Sequence, residues 1–217
     1  MRLRWRAAQF VEVLWWWFYL RRKDKAEYLR KKKIYWQKQL DDCTSVFNIK
    51  PGDTIIDMGC GPAGIYIMFP DMGVVAVDPL LDKYEEQLPL FSKADYPGVR
   101  FVTSPIETYN SSERFDYVFC MNAINHVNDI QAGFGKLAAL ANDNGTIIVS
   151  IDAHNNQLMK GIFRIGPGDI LHPHQYDKKE YEAFLEKEGF SVVKSILLAK
   201  GAIFNHYILI AQRAKTL

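Results

Sequence analysis

Two carboxylates and three glycines carry the most legible chemistry of this chain. Residues 54–64 read Thr-Ile-Ile-Asp-Met-Gly-Cys-Gly-Pro-Ala-Gly: a short apolar strand, Asp57 at its end, then glycines at 59, 61 and 64. Glycines so spaced allow a tight turn and let backbone N–H groups approach a ligand without a Cβ in the way, at the positive end of a following helix. That is a nucleotide-type site. Asp57 narrows the ligand, because a carboxylate at the strand tip repels a pyrophosphate and attracts a cationic amino group. Nineteen residues after Gly59, Asp78 ends a second apolar strand, where a carboxylate can accept hydrogen bonds from both ribose hydroxyls. Capping a turn with Pro79 is the plainer reading of Asp78.

Asp57-Met58-Gly59-Cys60-Gly61-Pro62-Ala63-Gly64 resembles the first motif of the class I S-adenosylmethionine-dependent methyltransferases, acid-x-Gly-x-Gly-x-Gly or a close variant. The resemblance implies a loop of Gly59, Cys60, Gly61 and Gly64 around the methionine part of S-adenosylmethionine, with Asp57 helping to hold its amino group. It also implies Asp78 on the ribose, and Pro79 and Leu80 against the adenine. Ile106 and Glu107 follow the third strand, where the family recognises the adenine amino group. Glu107 comes later than that acid often does, and serves equally well as a helix-start acid favoured by the dipole. Asn122 and Ala123 stand where the family lines the sulfonium. Tyr35-Trp36 resembles an aromatic pair in the family's N-terminal lid.

Histidine is the side chain suited to take a proton near neutral pH. His126 follows the fourth strand and is either a structural histidine satisfied by backbone or a base. His154, His172 and His174 follow the fifth strand. His172-Pro-His-Gln-Tyr176 is similar to a His-Pro-x-x-aromatic segment that shapes the acceptor pocket in many small-molecule members of the family, so one of these three is the expected base. No acid or cysteine completes a familiar zinc spacing around them, so no metal is expected. His206, in mid-strand, is assigned no chemical role.

These residues need elements to position them. Apolar runs at Ile55–Ile56, Val74–Val77, Val99–Val102, Tyr117–Cys120 and Thr146–Ile151 read as buried strands, with helical or loop segments such as 82–91 and 129–141 between them. An irregular stretch, 152–175, precedes a helix at about 178–188 and two more strands at 190–198 and 203–212. The fold class is therefore α/β: a doubly wound, seven-stranded, mostly parallel sheet of the Rossmann-like methyltransferase kind, with an N-terminal helical extension. In the family the last strand inserts antiparallel, and this ending is similar. Two helices are expected at the N-terminus, one over about 3–20 and apolar nearly all round, the other starting at Asp24 with Glu27 completing an acidic capping box.

The chain has 217 residues and a net charge of +2, which suits one ordinary domain with an extension. Residues 1–40 hold twelve Lys/Arg against three Asp/Glu, a balance of +9 that leaves −7 for the remainder, and all five tryptophans (5, 15, 16, 17 and 36). The division is thus 1–40 as a basic, aromatic lid or membrane-contact module and 41–217 as the S-adenosylmethionine-binding domain. Cations and tryptophans together favour peripheral contact of residues 1–23 with a membrane surface. The apolar run argues against nucleic acid. Cysteines at 43, 60 and 120 read as free thiols of a reducing compartment. The longest apolar run, 7–20, contains Glu12, is too short to span a bilayer, and is not followed by a small-residue cleavage site. The expected setting is cytoplasmic, on the inner membrane face where that contact forms. The expected activity is methyl transfer to a small apolar or amphipathic acceptor. Loss of catalysis in a donor-binding regulatory or membrane-associated protein is the alternative, and a nicotinamide oxidoreductase is a remoter one. Neither the acceptor nor the oligomeric state is readable from the sequence.

Overall fold

The computed structural model describes residues 2–155 and 176–214, excluding the side chains of 2–8 and of residue 10. Helices α1 (Arg2–Leu20) and α2 (Lys25–Cys43) come first. Then follow β1 (Ile55–Met58), β2 (Val75–Val77), α3 (Leu81–Gln87), β3 (Arg100–Val102), β4 (Phe115–Cys120), α4 (Ile130–Leu140), β5 (Ala141–His154), α5 (Lys178–Lys187), β6 (Phe190–Lys200) and β7 (Phe204–Arg213). The seven strands make one sheet in the order β3-β2-β1-β4-β5-β7-β6. Strands β1 to β5 run parallel, and β7 lies antiparallel between β5 and β6. This is the doubly wound, mostly parallel sheet that the apolar runs call for.

Each face of the sheet has its own core. Ile56, Val118, Ile147, Val149 and Leu209 pack with Phe134 and Leu137 of α4 and with Tyr181 and Leu185 of α5. On the other face Ile55, Phe119, Ile148, Ile208 and Ile210 pack with Val13 and Leu20 of α1, Trp36 of α2 and Tyr84 of α3. Strands buried on both faces read as continuous apolar runs, which explains their legibility. Aspartates start three helices. Asp24, Asp129 and Asp177 accept from the backbone N–H groups of Glu27, Ala132 and Glu180, and Asp177 with Glu180 forms a complete capping box.

Two expectations need correction and one is made finer. No α-helix follows the glycine loop: 3₁₀ turns at Gly61–Ala63 and Ile65–Met68 take its place. Pro62 at the first turn is compatible with a helix start, but Gly64 is extended at φ −72° and ψ −173°, which cuts the helical run after Ala63. The loop therefore gains no long-helix dipole. Second, the helical or loop segment 82–91 resolves into both: α3 stops at Gln87 because Leu88, which precedes Pro89, turns extended at ψ 124°. Third, β5 runs from Ala141 to His154 and so reaches three residues beyond the expected end.

Over its described side chains, helix α1 is covered on one side. Val13 and Leu20 are buried and Trp16 packs beside them, whereas Leu14, Trp15 and Phe18 are exposed. Helix α2 runs past residue 40 to Cys43 and contributes Tyr28, Trp36 and Cys43 to the same core as the sheet.

Candidate functional site

The glycine loop sits at the C-terminal ends of β1 and β2. Gly59 has φ +72°, and a Cβ there would collide with that of Ala123, so β4's continuation closes directly onto the loop. A Cβ at Gly64 would strike the Asp57 carboxylate and the Cys60 carbonyl. This close approach lets Asp57 Oδ2 accept from the Tyr66 backbone N–H at 3.1 Å, so Asp57 supports the loop from beneath. Asp78 bridges the loop to its own strand end. Its Oδ2 accepts from Gly61 N–H at 2.9 Å and its Oδ1 from Leu80 N–H at 2.8 Å.

Both carboxylates are buried, and among the described residues neither has a cationic partner. Burial raises Asp57 to about 7, against the lowering effect of the Tyr66 and Ile65 N–H groups. Asp78 is also raised to about 7, first by burial and then by the nearby Glu12 carboxylate, while the Leu80 and Gly61 N–H groups pull it down. Glu12 belongs to α1 and accepts from the Tyr84 hydroxyl at 3.1 Å, which fixes α1 over α3 and close to the loop. Two buried carboxyls without cations fit a ligand that brings a positive amino group and hydroxyl donors. The residues present thus fit S-adenosylmethionine. Burial pushes the Cys60 thiol well above its ordinary range, so it is no nucleophile.

The other expected contacts divide. Trp36 is buried and its indole N–H donates to Ala63 O at 3.0 Å, pinning α2 to the loop. Tyr35 is half exposed and its hydroxyl accepts from Asn122 Nδ2 at 3.4 Å. Asn122 has φ +55°; its N–H donates to Ser150 Oγ at 2.6 Å, and Ser150 Oγ donates to its side-chain oxygen at 3.1 Å. Pro79 and Leu80 follow Asp78, with Leu80 buried, and Ile106 packs beneath Gly59. Glu107 does something else: Oε1 accepts from the Asn128 and Asp129 N–H groups at 2.6 and 3.3 Å, ordering the approach to α4. Glu107 also stands in the first turn of the 3₁₀ segment Ile106–Thr108, as a helix-start acid does.

Among the histidines, His126 is exposed in the 3₁₀ turn Ile124–His126. His154 is buried at the end of β5, its ring 4.3 Å from that of Phe204. His172 and His174 lie outside the described residues. His206, to which the sequence assigned nothing, is paired: its Nδ1 lies 2.8 Å from Asp152 Oδ1. The two face each other across β5 and β7, next to the Ser150–Ile208 pair. Side chains two apart on a strand share a face, so Asp152 and His206 lie on the face of Ser150, one step beyond the Tyr35–Asn122–Ser150 chain and on the side covered by α1 and α2. Only the strand register shows this, because 54 residues separate the pair. The alternation 148, 150, 152 along β5 was the available signal.

A profile of the methyltransferase domain family matches residues 27–195. A curated relative, the ubiquinone biosynthesis O-methyltransferase of Rhodopseudomonas palustris strain HaA2, is 28% identical over 163 residues, covering 71% of this chain. The chain spans 63% of that relative's length. Among solved structures, the magnesium protoporphyrin IX methyltransferase of Synechocystis PCC 6803 with bound S-adenosylhomocysteine has a TM-score of 0.55 at 20% identity, over 86% of this chain and 84% of that one. A Burkholderia thailandensis 1,6-didemethyltoxoflavin-N1-methyltransferase, also with S-adenosylhomocysteine bound, has a TM-score of 0.55 at 17% identity, over 86% and 78%. The two structures show a shared fold.

Proposed function

Since this chain belongs to the class I S-adenosylmethionine-dependent methyltransferases, we propose that it binds S-adenosylmethionine and methylates a hydroxyl oxygen of a small, apolar or amphipathic acceptor of the quinone-precursor type. The donor supplies an activated methyl group together with its own leaving group. The residues then have three tasks: to hold the donor, to exclude water and to receive the acceptor's proton. The observation that carries the reading is the loop between Asp57 and Asp78, with its two buried carboxyls and, among the described residues, no cation paired to them.

In this reading Asp78 holds the ribose end, the loop wraps the methionine part with Asp57 lending its charge to the amino end, and Leu80 and Ile106 give the adenine an apolar wall. Helix α1, fixed by the Glu12–Tyr84 hydrogen bond, excludes water from above. His206 accepts the acceptor's proton, and Asp152 orients the ring and stabilises its charged form, as a carboxylate does for a histidine base. The acceptor class rests on the names of relatives such as the Rhodopseudomonas enzyme and on this dyad, since a hydroxyl nucleophile gains from a base.

The test is to incubate the protein with S-adenosylmethionine and a panel of alkyl-substituted catechols, and to follow S-adenosylhomocysteine and the methylated product by mass spectrometry. Stoichiometric formation of both supports the reading. Tight donor binding without turnover on any hydroxylated ring would point to a binding protein or a different acceptor class.

A further inference from the structure

The exposed side of α1 is patterned. Val11, Leu14, Trp15 and Phe18 recur at helical spacing on one stripe, opposite the stripe of Val13, Trp16 and Leu20 that packs into the core. Trp15 is 54% exposed and Phe18 52%, values that leave two large apolar side chains facing water in one patch. Beside the patch, between the end of α1 and the first half of α2, lies a cleft of about 410 Å³. Four cations (Arg22, Lys23, Lys31 and Lys32) and two carboxylates (Asp24 and Glu27) line it. Glu27 pairs with Lys31 at 2.7 Å, and Asp24 caps α2. Arg22, Lys23 and Lys32 have no carboxylate partner among the described residues. Tyr28, also in the lining, is only 6% exposed, and among the described residues its hydroxyl has no hydrogen-bond partner.

We infer that α1 lies in the headgroup boundary of an anionic phospholipid surface, with Leu14, Trp15 and Phe18 in the apolar layer and Arg22, Lys23 and Lys32 holding a lipid phosphate. Charge complementarity selects the occupant: cations without a carboxylate partner among the described residues meet an anion, and the neighbouring apolar stripe meets the acyl boundary. Lys23 Nζ sits 3.5 Å from the centre of the Tyr19 ring, and Lys32 Nζ 5.4 Å from that of Tyr35, so the aromatic walls hold the charges in place. Burial lowers the pKa of the Lys32 ammonium, which a phosphate would reverse. Among the described residues no helix is long and apolar enough to cross a membrane, so the contact is interfacial. The inference is independent of methyl transfer, although a surface-bound enzyme would meet a bilayer-soluble acceptor where it resides.

The test uses the full chain and sucrose-loaded vesicles of phosphatidylcholine alone or mixed with phosphatidylglycerol. Co-sedimentation is expected with the mixed vesicles only, weakening as salt rises. Trp15→Ser/Phe18→Ser should reduce it by roughly tenfold or more, and Lys23→Gln/Lys32→Gln by about tenfold, each at unchanged melting temperature. The two pairs are separate, so one that misfolds leaves the other to decide. Indifference to both kinds of vesicle, or equal binding to both, would overturn the inference. So would calorimetric binding of inorganic phosphate with vesicles ignored, which marks a soluble-anion site, or a self-association abolished by Trp15→Ser/Phe18→Ser, which marks a second copy on the stripe. Duplex DNA bound in preference to vesicles would also overturn it.

Discussion

At the scale of single residues, the donor loop is built around two carboxyls that the fold keeps from water. Their raised values, about 7 against an ordinary 3.8, mean that the folded protein binds more protons than the unfolded chain over that interval. Stability contributed by these groups is therefore complete below about pH 4 and lost as pH rises through about 7. Thermal melts of the ligand-free protein should show this loss, and Asp78→Asn should flatten part of it. Donor binding has the opposite slope: a cation and hydroxyl donors favour the ionised carboxylates, so affinity for S-adenosylhomocysteine should rise from about pH 6 to about pH 8. An affinity independent of pH would contradict the assignment. His206 makes the second test. His206→Asn or Asp152→Asn should lower methyl transfer by ~10²–10⁴ while leaving donor affinity nearly intact. A selective loss in His154→Ala, with His206→Asn normal, would move the base to β5's end. The loop and Asp78 were legible because glycine spacing and strand-end acids are local in sequence. Glu107's hold on Asn128 and Asp129 and the Asp152–His206 pair were not, because each depends on which segments the fold brings together.

Among the elements, α2 has the most direct hold on the loop. Trp36 reaches across from it to the Ala63 carbonyl, and the adjoining 3₁₀ turns have few hydrogen bonds of their own to keep the loop in shape. Trp36→Phe keeps most of the apolar contact and deletes the donor. It should cost about 1–3 kcal/mol, the penalty for a buried carbonyl without a partner, and should weaken donor binding as well. Denaturant melts and calorimetry on the same variant would show both effects. Full donor affinity at lowered stability would mean that α2 supports the fold without shaping the loop. Strands and the start of α2 were legible here: Asp24 appears as its N-cap, while the caps at Asp129 and Asp177 emerged only from the structure. The missing helix after β1 was not. Pro62 and Gly64 fit a helix start locally, and it is the packing of Gly64 against Asp57 that selects the extended conformation.

For the molecule as a whole, one sheet carries two cores, and the polar site lies at the strand ends between them, as expected where a doubly wound sheet reverses its strand order. Helices α1 and α2 belong to one of those cores, so the basic N-terminal segment is joined to the donor site through Glu12, Tyr35 and Trp36. The class of fold was legible because its period is written in apolar runs; the one-sided cover of α1 was not, because a helix apolar all round does not say which face the sheet will take. The central claim is that the Asp57–Asp78 loop is a site for S-adenosylmethionine. Titration calorimetry of the full chain with S-adenosylhomocysteine tests it most directly, alongside NADH and the Asp78→Ala variant. The account predicts binding in the micromolar range that Asp78→Ala weakens by roughly 1–3 kcal/mol, with no comparable response to NADH. Tight NADH binding and indifference to S-adenosylhomocysteine would contradict it.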